Sequence, residues 1–268
     1  MSHAAELHTV WDVVGGVRVR GRVSARPLTR RDDTPHAVFV HGLGMATNYL
    51  EPTMRALENE IAVSALDLPG FGGSRPIVGH RSLAELAEAL VAWVRMRGIV
   101  APIFVGQSHG CQVVVEAVTR APDLASALVL NAPTMVAEHR SIGAQLWRVM
   151  LDTPREPLAL VPHVARDYLR AGPVRILATL RDALRDRIED KLPTVRVPVT
   201  IVTGARDPVS PPAWGERLAR LTRSHAGAEA RFVIVPGAAH AVPFSHPEAL
   251  AAEVVSMARR LDATRAPR

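Results

Sequence analysis

A serine, an aspartate and a histidine, each placed just after an apolar run, carry the chemistry that this 268-residue sequence offers. Ile103 to Val105 read as a short buried strand, Gly106-Gln107-Ser108-His109-Gly110 follows, and Cys111, Val114, Val115 and Val118 then recur at helical spacing. The pattern predicts strand, sharp turn and helix, with Ser108 at the apex. Gly106 and Gly110 remove the side chains that so tight a turn would crowd. The hydroxyl is left above the sheet edge, and the backbone N–H of His109, at the helix start, lacks an intrahelical partner. That is a nucleophile beside an anion site.

A serine hydroxyl attacks poorly until a base takes its proton. Imidazole suits that task near neutral pH, and a carboxylate on the other ring nitrogen holds the tautomer. Asp207 follows the apolar run Val197 to Val202 through Gly204-Ala205-Arg206, and His240 follows Arg231 to Val235 through Pro236-Gly237-Ala238-Ala239. Asp207 precedes Pro208, a pairing that also starts turns; its place at a strand end favours the chemical role. The order Ser, Asp, His suits a strand–turn–helix nucleophile. Of the other histidines, His139 and His163 fall in a region without strands, and His225 and His246 read as surface residues. His109 points across the turn, a poor base whose ring at most lines a pocket. Cys111 reads as a small core residue, since nothing beside it would lower its pKa. Asp67, before a run of glycines, reads as shaping a loop.

The elements that must position these residues alternate. His8 to Val14 and Val17 to Val23 form a hairpin across Gly15-Gly16, and Thr29 to Pro35 is a linker. His36 to Val40 is a buried strand running into His41-Gly42-Leu43-Gly44, a helix is expected from about Asn48 to Glu58, and Ile61 to Leu66 is the next strand. Ser82 and Glu85 make a capping box before the apolar stripe Leu83, Leu86, Ala87, Leu90, Val91, Val94, and Gly98 stops that helix. Ala127 to Leu130 is a strand; Pro212 to Leu221 and Pro247 to Leu261 are helices. Between Thr134 and Val195 the rhythm breaks. Ile176, Leu177, Leu180, Leu184 and Ile188 recur at helical spacing with Arg181, Asp182, Arg185 and Asp186 facing away, and Pro154, Pro157, Pro162 and Pro173 divide the stretch into short helices. Alternating strands and helices argue for an α/β fold with a mainly parallel sheet of eight strands covered on both faces, in which functional residues gather at the carboxyl ends of strands.

Composition narrows the function classes. One cysteine excludes an intramolecular disulfide, the N-terminus shows no signal-peptide pattern, and no apolar run reaches the roughly 20 residues of a membrane helix; the expectation is a soluble, cytoplasmic protein. The net charge of +6 comes almost wholly from arginine, Lys191 being the single lysine, and is interleaved with acids. Arg18 to Arg31 alternates with valines like the wet face of an edge hairpin, so a nucleic-acid partner is not expected. No His/Cys/Asp cluster has metal-ligand spacing, and the chemistry needs no metal or organic cofactor.

With His41-Gly42-Leu43-Gly44, Asp67-Leu68-Pro69-Gly70-Phe71-Gly72-Gly73-Ser74, Gly106-Gln107-Ser108-His109-Gly110, Gly204-Ala205-Arg206-Asp207 and Gly237-Ala238-Ala239-His240 in order, the chain resembles the α/β-hydrolase superfamily over residues 8–131 and 197–260. The resemblance implies an α/β-hydrolase core at 1–133 and 196–268 with a helical cap inserted at 134–195. It implies that the strand-end His-Gly loop supplies a second oxyanion donor, the N–H of Leu43 beside that of His109, with His41 bracing the loop; for Gln107 it implies nothing definite. The expected activity is a serine hydrolase cleaving an ester or related acyl bond of a small, apolar substrate. The superfamily also hosts carbon–carbon hydrolases of ring-cleavage products, cofactor-free haloperoxidases or perhydrolases, and small-molecule receptors. Serine at the apex argues against its haloalkane dehalogenase and epoxide hydrolase branches, which use aspartate there. Val149, Leu151, Leu158, Leu160, Val161, Val164, Tyr168 and Leu169 are expected either to line the pocket or to form the cap's own core. Oligomeric state stays open.

Overall fold

The computed structural model describes residues 7–24, 35–74, 79–224 and 229–265. The first six residues, His225 and the linker up to residue 34 lie outside them. The strands are β1 (His8–Val14), β2 (Val17–Val23), β3 (His36–Val40), β4 (Ala62–Leu66), β5 (Ile103–Gln107), β6 (Ala127–Asn131), β7 (Val199–Gly204) and β8 (Ala230–Val235). The helices are α1 (Glu51–Leu57), α2 (Leu83–Met96), α3 (His109–Arg120), α4 (Ile142–Asp152), α5 (Val161–Ala171), α6 (Pro173–Arg185), α7 (Ile188–Lys191), α8 (Pro212–Arg223), α9 (Val242–Ser245) and α10 (Pro247–Arg265), with short 3-10 turns between several of them.

The strands form one eight-stranded sheet in the order β1-β2-β4-β3-β5-β6-β7-β8. β2 pairs antiparallel with β1 and β4, and every other pairing is parallel. Parallel strands covered on both faces are buried throughout, and β3 to β7 are. Alternate side chains divide them between two cores: Val38 and Val40 pack with Leu86, Leu90 and Trp93 of α2 and Val114 and Val118 of α3, while Ala37 and Phe39 pack with Met54 of α1 and Leu250 and Val254 of α10. The chain passes from β3 outward to β4 and returns to β5, so the strand order reverses between β3 and β5. A crevice opens at the carboxyl ends of strands at such a point.

Most predicted elements stand where the patterns placed them. The capping box at Ser82 and Glu85 is formed on both sides. Pro162 and Pro173 lie in the first turns of α5 and α6, where a missing N–H costs nothing. Three expectations are corrected. The helix read through Ile188 ends at Arg185, and Ile188 opens α7. Asp182 and Asp186 face inward: Asp182 accepts the Leu83 N–H at 2.7 Å and Asp186 the Gln112 Nε2 at 2.9 Å. Arg20 is not on a wet face; its Nε lies 2.7 Å from the buried Asp67 carboxylate, whose oxygens also accept the N–H groups of Thr47 and Gly73 at 2.7 Å each.

Candidate active site

Ser108 joins β5 to α3 with φ 57° and ψ −123°. For a residue with a Cβ such a conformation costs roughly 1–3 kcal/mol and survives only where its surroundings enforce it. Here the Ser108 N–H donates to the Asn131 carbonyl at 2.9 Å and the Ser108 carbonyl accepts the Cys111 N–H at 3.0 Å. The flanking glycines answer close approach: a Cβ on Gly106 would sit 2.8 Å from the Cys111 Cα, and one on Gly110 would collide with the Val40 carbonyl. The Cys111 thiol donates to the Gly106 and Asn131 carbonyls at 3.2 Å each, and burial holds its pKa well above the ordinary thiol value.

Asp207 and His240 meet this serine from the loops after β7 and β8. Asp207 Oδ1 accepts the N–H groups of Val209 and Ser210 at 2.7 and 2.9 Å. Its Oδ2 lies 2.8 Å from His240 Nδ1, and His240 Nε2 lies 3.0 Å from Ser108 Oγ. A carboxylate only accepts, so Nδ1 carries the proton and the Nε2 lone pair faces the serine hydroxyl. Burial alone would depress the His240 pKa; the charge and hydrogen bond of Asp207, with Asp152 and Glu156 adding, outweigh it and raise the ring to about 9. Asp152 in turn is pushed up to about 7, first by burial, with Glu156 and Asp207 adding to it and His240 opposing.

The loop after β3 lies against the nucleophile, since a Cβ on Gly42 would be 3.2 Å from the Ser108 Cβ. His41 Nε2 accepts the Leu68 N–H at 3.0 Å, so Nδ1 carries the proton and donates to the Gly42 carbonyl at 2.8 Å; burial lowers the pKa of this ring. The Gly42 N–H donates to the Tyr49 hydroxyl at 2.9 Å, the hydroxyl donates to Gln107 Oε1 at 2.6 Å, and Gln107 Nε2 donates to the His240 carbonyl at 3.3 Å. One line of hydrogen bonds therefore ties the Gly42-Leu43 loop to the loop of His240.

Ser108, Asp207 and His240 thus converge. Other described histidines do not join them: His109 is buried and its pKa lowered to about 3 by burial and by His41, the His163 ring packs edge-on to Phe244 with centroids 5.5 Å apart, and His246 Nδ1 is 3.0 Å from Ser245 Oγ. Sequence reasoning missed four residues: Tyr49, Gln107, Asp152 and Glu156. Asp152 Oδ1 accepts the His240 N–H at 3.3 Å, and Glu156 Oε1 accepts the Ala241 N–H at 2.7 Å. The one local signal is that these two acids are the only ones between Arg140 and Arg166. Of the two readings of the insertion's apolar residues, exposure removes the packed core for six of them. Leu160 is buried and Val164 packs on the core beneath, but Val149, Leu151, Val161 and Tyr168 are exposed, and Leu158 and Leu169 are 87% and 83% exposed. They form no cap core. Among the described residues no group of three or more His, Cys, Asp or Glu side chains is arranged to hold a metal ion.

Comparison with known proteins gives the family. The model of the Alpha/beta hydrolase family matches residues 37–253. A pimeloyl-[acyl-carrier protein] methyl ester esterase of Neisseria meningitidis serogroup B (strain H44/76) is 29% identical over 85% of this chain and 95% of its own length. An enzyme of the same name from Methylococcus capsulatus is 30% identical over 70% of this chain and 82% of its own. Among solved structures, a thermophilic esterase from Thermogutta terrifontis superposes with a TM-score of 0.74 at 20% identity, over 95% of this chain and 99% of that one. The chain belongs to the alpha/beta hydrolase family and is an enzyme of its carboxylesterase-like type.

Proposed function

We propose that the protein is a serine hydrolase that cleaves a carboxylic ester of a small, apolar acyl group through an acyl-enzyme. The observation that carries the reading is the relay Asp207–His240–Ser108, with contacts of 2.8 and 3.0 Å, ending on a serine held in a left-handed backbone. Ser108 Oγ attacks the ester carbonyl carbon as His240 Nε2 takes its proton. The carbonyl oxygen becomes an oxyanion held by the N–H groups of Leu43 and His109. The Gly42 N–H is committed to Tyr49, which leaves Leu43 the next amide along that loop, and the first turn of α3 leaves the His109 N–H without an intrahelical acceptor. Each such donor is worth about 3–4 kcal/mol of barrier. As the tetrahedral adduct collapses, the proton on Nε2 passes to the departing alkoxide and the alcohol leaves. Water then attacks the acyl carbon with His240 again as base, releasing the acid and restoring Ser108.

An ester is favoured as the scissile bond because the relatives named above are methyl ester esterases. Residues 134–195 serve as the cap, with the core at 1–133 and 196–268. Substrate is a small molecule, and among the described residues no helix is long and apolar enough to cross a membrane. Turnover of p-nitrophenyl esters of increasing acyl length tests the reading. Wild-type protein should hydrolyse them and Ser108→Ala should fall by at least about a thousandfold, with the length optimum sizing the acyl site. Equal turnover by wild type and Ser108→Ala would overturn it.

A further inference from the structure

His240 lies in irregular chain between β8 and α9, so the sheet ladder does not fix its backbone. Three side chains from elsewhere do. Gln107 holds its carbonyl; Asp152 and Glu156 hold its own N–H and that of Ala241. We propose that Asp152 and Glu156 are positioning residues of this site: reaching from the end of α4 and the turn after it, their carboxylates grip two consecutive backbone amides of the histidine loop, so that docking of the helical insertion aligns the base. The inference rests on the serine-hydrolase reading above.

The geometry favours this role over an ordinary ion pair. Neither acid has a Lys or Arg partner within salt-bridge distance among the described residues. Arg148 and Arg155, on the same turns, donate instead to the Pro208 and Leu151 carbonyls. Asp152 is buried, and the second oxygen of Glu156 is buried with no partner. Burying carboxylates is costly unless donors compensate, and here the compensating donors are amides of the catalytic loop. The grip spans 88 and 85 residues of sequence, so it exists only when the insertion is seated. Both acids also add to the charge that raises the pKa of the His240 ring. The ionisable groups that bear on Asp152 are His240, Glu156 and Asp207.

The test compares Asp152→Ala, Glu156→Ala and the double variant with Asp152→Asn and Glu156→Gln, which keep an acceptor oxygen. Glu138→Gln is the control; it breaks the 2.6 Å insertion-to-core pair with Arg217 away from the site. Ester turnover and the rate of Ser108 labelling by a fluorophosphonate are measured, and the His240 ring is titrated by NMR. Each alanine variant should lose about tenfold in kcat and in labelling rate, and the double variant about a hundredfold, with KM within about twofold. The amide variants should recover most of kcat while the ring titrates about one unit lower, and Glu138→Gln should match wild type. Alanine variants equal to wild type, a change carried by KM, or amide variants as impaired as alanine would each overturn the proposal. If the alanine variants do not fold, the amide variants decide, and an unchanged ring titration overturns it. A wild type inert towards both ester and fluorophosphonate would instead refute the serine-hydrolase reading, and the ring titration would still decide the grip.

Discussion

Three carboxylates bear on the imidazole of His240, and their balance against burial sets when it is neutral, the form the proposed base role needs. Burial pulls its pKa down; Asp207, Asp152 and Glu156 push it to about 9. In the proposed mechanism only the neutral ring accepts the serine proton, so activity is predicted to rise as pH climbs through that pKa. The acid limb of kcat/KM is predicted above the ordinary imidazole value, in the direction of 9, and a midpoint at or below about 6.5 would contradict the charge balance described. Much of the candidate site's geometry was legible in the sequence. Ser108, Asp207 and His240 each follow a strand through a short turn, and strand ends are where such a sheet exposes side chains. Gln107, Tyr49, Asp152 and Glu156 were not legible, because their roles come from contacts 58 to 133 residues apart in the chain. Nothing in the spacing of an acid on a short helix tells which amide it will meet.

The elements work as rigid carriers for those contacts. β3 and β5 lie side by side, which sets the Gly42-Leu43 loop against Ser108, and β6 fixes the serine's own N–H through Asn131. The loop after β4 is held from within by Asp67, which binds Arg20 of β2 and the amides of Thr47 and Gly73. Removing that carboxylate takes the acceptor from Arg20 Nε and from two amides, leaving the Arg20 guanidinium its Thr47 and Asn48 contacts. Asp67→Ala is therefore predicted to cost about 3 kcal/mol in urea unfolding, with the loss seen as a lower midpoint; a change under about 0.5 kcal/mol would show that the loop does not depend on it. Periodicity located nearly every strand and helix because both faces of the sheet are buried, and burial writes itself into the pattern. It failed where one side chain overrides its neighbours. Arg20 alternates with valines like a surface residue yet turns to Asp67, and Asp182 and Asp186 sit on a charged face yet cap or bridge neighbouring helices. The apolar residues of the insertion left two readings open, and exposure removes the packed-core one for all but Leu160 and Val164.

At the scale of the molecule, two apolar cores hold the sheet between α2, α3 and α8 on one face and α1 and α10 on the other. The insertion between β6 and β7 reaches back to the site at several points: Arg148 on the Pro208 carbonyl, Asp152 and Glu156 on the histidine loop, and the Tyr168 ring beside Gly44, whose added Cβ would meet it at 2.9 Å. Residues from across the fold thus converge on one hydroxyl, and the proposed chemistry requires that this hydroxyl take up the acyl group. The most direct measurement is rapid quenching of the protein with a p-nitrophenyl ester, followed by intact-mass and peptide analysis. The expected result is a mass gain of one acyl group, located on the peptide bearing Ser108, formed in a burst and absent from Ser108→Ala. Turnover without any adduct on Ser108, or an adduct that persists in Ser108→Ala, would contradict it.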